Sequence, residues 1–250
     1  MAKTLSLTLL LSLAVLLPAG AQCLRSVGAC HGSGIPPASS RHSIEAALAY
    51  GYNTTERSYG SIGLTYSGMA ARWARLSAGA WASTSDSYAL KLRADFSWQA
   101  GRRGRIGLRN HYLYSAYAYA SMQGFDAALM AAYDHDYFYA GIGAVTRLFA
   151  PLRGGGLICE PIDMAYDIEG RIFPKGHPWN IALQITNLQP FRTGRFYEPE
   201  LILKGNCRVY EGRAGRYRAT LRTAYRPAGL LSIATSFYGI EITAGVICGI

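Results

Sequence analysis

Basic side chains recur at alternate positions in the segment "RYRATLRTAY". Arg216, Arg218 and Arg222 are separated there by two residues or by a multiple of two. Because successive side chains of a β-strand point to opposite faces, this spacing places all three guanidinium groups on one face. Such a row could pass an anion from one site to the next. The alternative is a static ion-pair network with acids that face it from other strands, and the number of such acids in the sequence favours this alternative.

The segment "YALKLRADFSWQ" has the same two-residue period. One of its faces is wholly apolar and ends in two aromatic residues, Phe96 and Trp98. The opposite face carries Lys91, Arg93 and Asp95. Asp95 lies two residues from Arg93, so the spacing predicts an ion pair between these two side chains.

The same alternation positions the charges throughout residues 43–250, where no helical periodicity competes with it. Eleven segments with this period precede the tail 229–250, and the tail reads either as one long strand or as a short hairpin. We expect twelve strands, with ten or fourteen as alternatives, because both chain ends on one side require an even number. An up-and-down antiparallel meander with short turns closes most simply into a barrel. The predicted fold class is all-β, a closed antiparallel up-and-down transmembrane β-barrel.

Three features indicate whether the apolar face of this barrel points outward, to lipid, or inward, to a core. The polar faces are mostly small residues, whereas a soluble exterior carries many Lys and Glu. The apolar faces run for roughly 9–11 residues, the length that a tilted strand needs to cross a bilayer. Aromatic residues lie near segment ends, as in Tyr50/Tyr52, where an interfacial girdle is expected. The pattern therefore favours a membrane barrel with its apolar face outward over a soluble exported barrel or sandwich.

The first residues have the three-part anatomy of a secretory signal peptide. Lys3 precedes an apolar run, and the small residues Ala19-Gly20-Ala21 predict cleavage after position 21. Residues 22–42 are rich in Gly, Pro and Ser and are interpreted as a periplasmic arm or a lumen plug. The predicted domains are therefore a signal peptide (1–21), this arm (22–42) and the barrel (43–250).

Charge is sparse and mostly basic. Charged residues make up 16% of the chain, against about a quarter in soluble proteins, and the net charge is +10. For an exported protein this favours anionic solutes or anionic lipid as partners, and no nucleic acid. The basic residues expected to line the lumen are Arg75, Lys91, Arg93, Arg109, Lys204, Arg208, Arg216, Arg218 and Arg222. The acids expected to face them are Glu45, Asp95, Asp126, Asp163, Asp167, Glu169 and Glu241.

Catalytic chemistry finds little support in the sequence. His111 and Ser115 share one face, but four residues of strand separate them by about 13 Å, too far for a hydrogen bond. The triplet Asp134-His135-Asp136 is typical of a polar turn, and no Cys/His spacing suggests a metal. We therefore expect no enzyme activity, no cofactor and no metal.

Residues 43–250 resemble the bacterial outer-membrane β-barrel superfamily in architecture, without a diagnostic motif. The C-terminal segment "YGIEITAGVICGI" keeps the alternation of that family's assembly signal but ends in Ile250 instead of an aromatic residue. The resemblance implies a location in the outer membrane, with lipid and the barrel assembly machinery as partners. It also implies a porin-like channel for small, in part anionic, solutes. The alternative is a non-conducting barrel that anchors or belongs to a secretion or envelope assembly.

Overall fold

The computed structural model describes residues 41–53, 57–84, 88–116, 121–151, 158–159, 162–188, 200–212, 215–226 and 239–249. The predicted signal peptide and nearly all of the predicted arm lie outside these residues. The first strand begins at His42, one residue before the predicted start of the barrel. Among the described residues, no helix is long and apolar enough to cross a membrane.

All regular structure in the described chain is β-strand. The strands are β1 His42–Asn53, β2 Arg57–Ala71, β3 Ala74–Ser83, β4 Tyr88–Ala100, β5 Gly104–Ala116, β6 Ser121–Asp134, β7 Phe138–Pro151, β8 Ile158–Cys159, β9 Asp163–Arg171, β10 Trp179–Leu188, β11 Glu200–Gly212, β12 Gly215–Arg226 and β13 Gly239–Gly249.

Twelve of these strands form a closed ring. Each is antiparallel to its neighbours in chain order, β7 pairs with β9, and β13 returns to pair with β1 along its whole length. The two-residue β8 pairs with β7 at Leu148 and Phe149, beyond the point where β9 begins. The predicted closed antiparallel barrel of twelve strands is therefore confirmed, and β13 is a single strand within the described tail.

The two faces of the barrel wall differ as the alternation predicts. On β1, Leu48 is 62% exposed whereas its neighbour Ala47 is 5% exposed, and on β6 the corresponding values are 55% for Leu129 and 6% for Ala128. The large apolar side chains thus point away from the barrel and the small ones point into it. This apolar exterior is the arrangement of a transmembrane barrel and the reverse of a soluble one.

Two inward aromatic rings lie flat against glycines of the neighbouring strand. A Cβ atom on Gly63 would be 2.2 Å from the ring of Trp81, and one on Gly51 would be 2.4 Å from the ring of Tyr59. Glycine at these positions therefore gives each ring its space, as close approach in a strand requires. These rings fill part of the interior.

The ends of the barrel differ in the length of their connections. Short turns join the strands at the end where β1 begins and β13 ends, and we call this end the short-turn rim. Its turns include residues 72–73, 101–103 and 135–137. The opposite end carries the longest connections, such as residues 189–199 and 227–238. In outer-membrane barrels the short turns face the periplasm.

Candidate functional site: the charged inner wall

The register of β11 and β12 sets like charges directly opposite each other on the inner wall. Lys204 is the cross-strand partner of Arg222, and Arg208 is the partner of Arg218. Cβ atoms at such positions lie about 4.5–5.5 Å apart, and like charges there are mutually destabilising. The arrangement therefore requires counter-charges, bound anions or water.

Glu169 supplies the counter-charge for Lys204. Its Oε2 lies 2.9 Å from the Lys204 Nζ, and its Oε1 lies 2.6 Å from the Arg171 Nε. Glu169 is on β9 and Lys204 on β11, so this ion pair spans the intervening strand β10. Both contacts are charge-assisted hydrogen bonds, the stronger class in proteins.

Arg222 is held between two acids. Its guanidinium lies 3.2 Å from Glu200 Oε1 on β11 and 3.8 Å from Glu241 Oε1 on β13. The Tyr59 hydroxyl, from β2, donates a 2.8 Å hydrogen bond to Glu241 Oε2. The network around Arg222 therefore ties four strands together through buried groups.

Towards the short-turn rim, the basic side chains of β11 and β12 outnumber the acidic side chains that contact them. Arg208 Nη1 and Arg216 Nε share a single carboxylate, Glu211, at 2.5 and 2.9 Å. Arg218 lies between them and Arg222 on the inner face. Within the described part of the chain, Arg218 makes no ion pair or side-chain hydrogen bond. The surplus positive charge of β11 and β12 thus lies at this end of the barrel.

The opposite part of the wall carries a second group of basic residues, on β3 and β4. Arg93 Nε lies 2.6 Å from Asp95 Oδ2, which confirms the pair predicted from their spacing. Arg75 is the cross-strand partner of Asp95. Lys91 Nζ lies 4.9 Å from the centroid of the Trp81 ring, a cation–π contact.

One ion pair joins two strands that are far apart in the ring. Arg109 Nη2 on β5 lies 3.7 Å from Asp167 Oδ2 on β9, with β6 and β7 between them. The Thr186 hydroxyl donates a 2.6 Å hydrogen bond to the other oxygen of Asp167. Within the described chain the inner wall of β9–β11 is closely filled. The largest side chains that are less than 2% exposed are Ile202, Gln184, Glu200, Thr186 and Asp167.

The register brings the predicted basic residues to one face but divides them between two groups. Lys204, Arg208, Arg216, Arg218 and Arg222 form a continuous set on β11 and β12. The other four lie on β3, β4 and β5: Arg75, Lys91, Arg93 and Arg109. The side chains of the predicted acids Asp126 and Asp163 lie outside those the structure describes.

Sequence reasoning missed three charged residues of the inner wall, Arg171, Glu200 and Glu211. Arg171 follows Glu169 at the two-residue spacing that was used for Arg93 and Asp95, so the signal was present in the sequence. Glu200 follows the long connection 189–199 and starts β11, and a single charged residue at a strand end carries no periodic signal. Its role depends on register with Arg222, which the sequence does not contain.

The residues that the sequence analysis considered for catalysis or metal binding lie in the following environments. His111 is buried on the inner face of β5, opposite Arg93, and the Ser115 side chain is not described. Asp134 contacts Lys175, Arg171 (3.2 Å) and Arg105 (3.4 Å), so it belongs to an ion-pair cluster at the short-turn rim. Among the described residues, no group of three or more His, Cys, Asp or Glu is arranged to hold a metal ion.

Comparisons with known proteins identify the fold but no sequence family. No family model and no curated protein matches the chain. A structure of the KdgM porin in complex with disordered oligogalacturonate superimposes with a TM-score of 0.53 at 9% identity, covering 82% of this chain and 99% of that one. The NanC porin gives 0.52 at 10% identity, covering 82% of this chain and all of its own. The COG4313 outer membrane channel from Pseudomonas putida F1 gives 0.51 at 10% identity, covering 90% and 100%. The predicted resemblance to outer-membrane β-barrels is confirmed at the level of architecture.

Proposed function

We propose that this protein is an outer-membrane, porin-like channel for small solutes with a preference for anions. The observation that carries the proposal is the surplus of positive charge on β11 and β12. Two like-charged pairs face the lumen there, and Arg218 has no counter-charge among the described residues. A guanidinium without a counter-charge inside a basic row is suited to attract an anion and release it again.

Two further features support the proposal. The apolar exterior has the character required for insertion in a bilayer, and the short-turn rim would then face the periplasm. The KdgM porin, which has the same fold, binds oligogalacturonate. An anionic solute for the present chain is our inference from its own basic residues.

Conductance of the purified, folded protein in planar bilayers tests the proposal. Under a KCl gradient we expect a reversal potential that indicates anion preference. Arg218→Glu should shift this potential towards cation preference, because it reverses the charge that lacks a partner. Arg218→Lys is the matched control and should leave the potential nearly unchanged. An open channel whose selectivity does not respond to Arg218→Glu would contradict the role of the basic row.

A second candidate function is a non-conducting barrel that anchors or belongs to a secretion or envelope assembly. The observation that favours it is the close filling of the β9–β11 wall, together with the Arg109–Asp167 pair. Absence of current from protein that is folded, as judged by heat-modifiable migration, would support this function and reject the channel. Lipid hydrolysis that disappears in His111→Ala would instead indicate an enzyme.

A further inference from the structure

Three arginines lie close in sequence to two stacked tryptophan rings on one sector of the short-turn rim. Arg72 is in the turn between β2 and β3, and Arg102 and Arg103 are in the turn between β4 and β5. These two turns are consecutive hairpin tips around the barrel. Trp73, in the same turn as Arg72, stacks on the exposed Trp98 near the end of β4, with ring centroids 6.2 Å apart. We call these five residues the rim patch.

The cationic groups of the rim patch are available to a ligand. Arg72, Arg102 and Arg103 are all exposed. Within the described chain, Arg72 and Arg102 make no ion pair or side-chain hydrogen bond. Arg103 Nη1 donates a 3.1 Å hydrogen bond to the Tyr133 hydroxyl, which leaves its other donors unused by that contact. Along the chain, the first exposed acidic residue after Arg103 on this rim is Asp136, which lies in the turn between β6 and β7.

The backbone that carries the rim patch is fixed by hydrogen bonds to neighbouring strands. Ser97 N donates to Trp73 O at 2.7 Å, and Asp134 N donates to Arg103 O at 2.9 Å. Gly101 has φ = 74°, a left-handed conformation that glycine adopts without strain and that a tight turn uses here. The arginines therefore project from anchored turns, so little ordering of the backbone is needed for binding.

We propose that the rim patch binds the phosphate groups of anionic phospholipids in the membrane leaflet at the short-turn rim. Trp and Tyr rings belong at the headgroup level of a bilayer, and guanidinium groups just beyond them are at the height of the lipid phosphates. Basic residues near an anionic leaflet are attracted to it individually, and the attraction is screened by salt. This inference rests on the membrane location proposed above, and it is independent of whether the barrel conducts.

Tryptophan positions in this chain allow a direct measurement. Of the four tryptophans, Trp73 and Trp98 belong to the rim patch, Trp179 lies on β10 across the barrel, and Trp81 points inward. The patch reporter, Trp81→Phe/Trp179→Phe, keeps only the two patch rings. The control reporter replaces the other three tryptophans by Phe and keeps Trp179 at the same rim, away from the patch.

Each reporter is reconstituted in vesicles in which either phosphatidylglycerol or phosphatidylcholine carries bromine, a short-range quencher of tryptophan fluorescence. We expect brominated phosphatidylglycerol to quench the patch reporter about fivefold more than brominated phosphatidylcholine does. This factor corresponds to the attraction of one basic residue to an anionic membrane surface. The preference should fall in high salt, and the control reporter should show a ratio near one. An equal preference at Trp179 would overturn a specific site, because it would reflect the general charge of the protein.

Charge-neutral and charge-conserving variants separate lipid binding from folding. Arg72→Gln/Arg102→Gln/Arg103→Gln in the patch reporter should bring the preference close to one, whereas the corresponding triple Lys variant should retain most of it. Since all three positions are exposed turn residues, both variants are expected to fold. A preference unchanged by the Gln variant would overturn the proposal. Absence of quenching by either brominated lipid would instead refute the membrane location itself, so the two failures are distinguishable.

Discussion

Replacing Glu169 by Gln removes the charge that holds Lys204 and Arg171 on the inner wall. The carboxylate accepts charge-assisted hydrogen bonds of 2.6 Å from Arg171 and 2.9 Å from Lys204. After the substitution, Arg171 keeps its contacts with Asp134 and the His135 carbonyl. Among the described residues, Lys204 is then left with Arg222 as its charged cross-strand neighbour, and the interaction between these two like charges is repulsive.

The magnitude follows from these contacts. Hydrogen bonds to charged groups contribute about 1.5–3 kcal/mol each, and removing one partner of a buried ion pair costs about 3–5 kcal/mol. Because the Gln amide oxygen still accepts one hydrogen bond, we expect Glu169→Gln to lower the free energy of unfolding by about 2–4 kcal/mol. Lys204→Met should cost less, since it also relieves the repulsion from Arg222. In the double-mutant cycle the coupling energy should be about 1–3 kcal/mol.

Urea unfolding of the reconstituted barrel, followed by tryptophan fluorescence, measures these differences. Glu211→Gln is the matched control, because its partners are partly exposed at the rim and its loss should change stability by less than about 1 kcal/mol. In bilayers the same Glu169→Gln variant should become more anion-selective, since Lys204 loses its counter-charge. A cost below about 0.5 kcal/mol with no coupling to Lys204 would refute the buried network.

Three further substitutions test other parts of the barrel. Gly63→Ala should destabilise the fold by about 1–3 kcal/mol, because the new Cβ would meet the Trp81 ring at 2.2 Å. The same substitution should cost less in a Trp81→Ala background, where the ring is absent, and urea unfolding of the single and double variants measures this. Leu129→Arg should cost about 2–4 kcal/mol in vesicles if that face contacts lipid, and a neutral result would contradict the orientation. Tyr59→Phe removes the 2.8 Å hydrogen bond to Glu241 and should cost about 1–2 kcal/mol in the same assay.

The alternation of side chains predicted the strands, and the small polar faces, the segment lengths and the aromatic residues at segment ends predicted the direction in which the apolar faces point. In "YALKLRADFSWQ" it assigned Leu90 to the outside and Asp95 to the inside, and both assignments agree with the structure. The reason is physical: lipid on one side and packed polar groups on the other impose a period of two on every strand. The Arg93–Asp95 pair could be predicted for the same reason, since both residues lie on one strand.

Contacts between strands could not be predicted in this way. The Lys204–Glu169 pair spans one intervening strand and the Arg109–Asp167 pair spans two. Which residues meet across a closed barrel depends on its register and curvature, and neither quantity is written in the period of a single segment. The sequence therefore identified charged inward residues but not which acid each base would contact.

The distribution of paired and unpaired charge indicates how far water extends into the barrel. An unpaired charge held away from water is costly, so Arg218, without a counter-charge among the described residues, requires hydration. Along β12, side-chain exposure falls from 54% at Arg216 to 14% at Arg222. The inner wall of β12 is therefore more accessible at Arg216, near the short-turn rim, than at Arg222, where Glu200 and Glu241 contact the guanidinium. If the barrel conducts, we expect Arg218 to favour the approach of anions to the charged layer that Arg222 forms with Glu200 and Glu241.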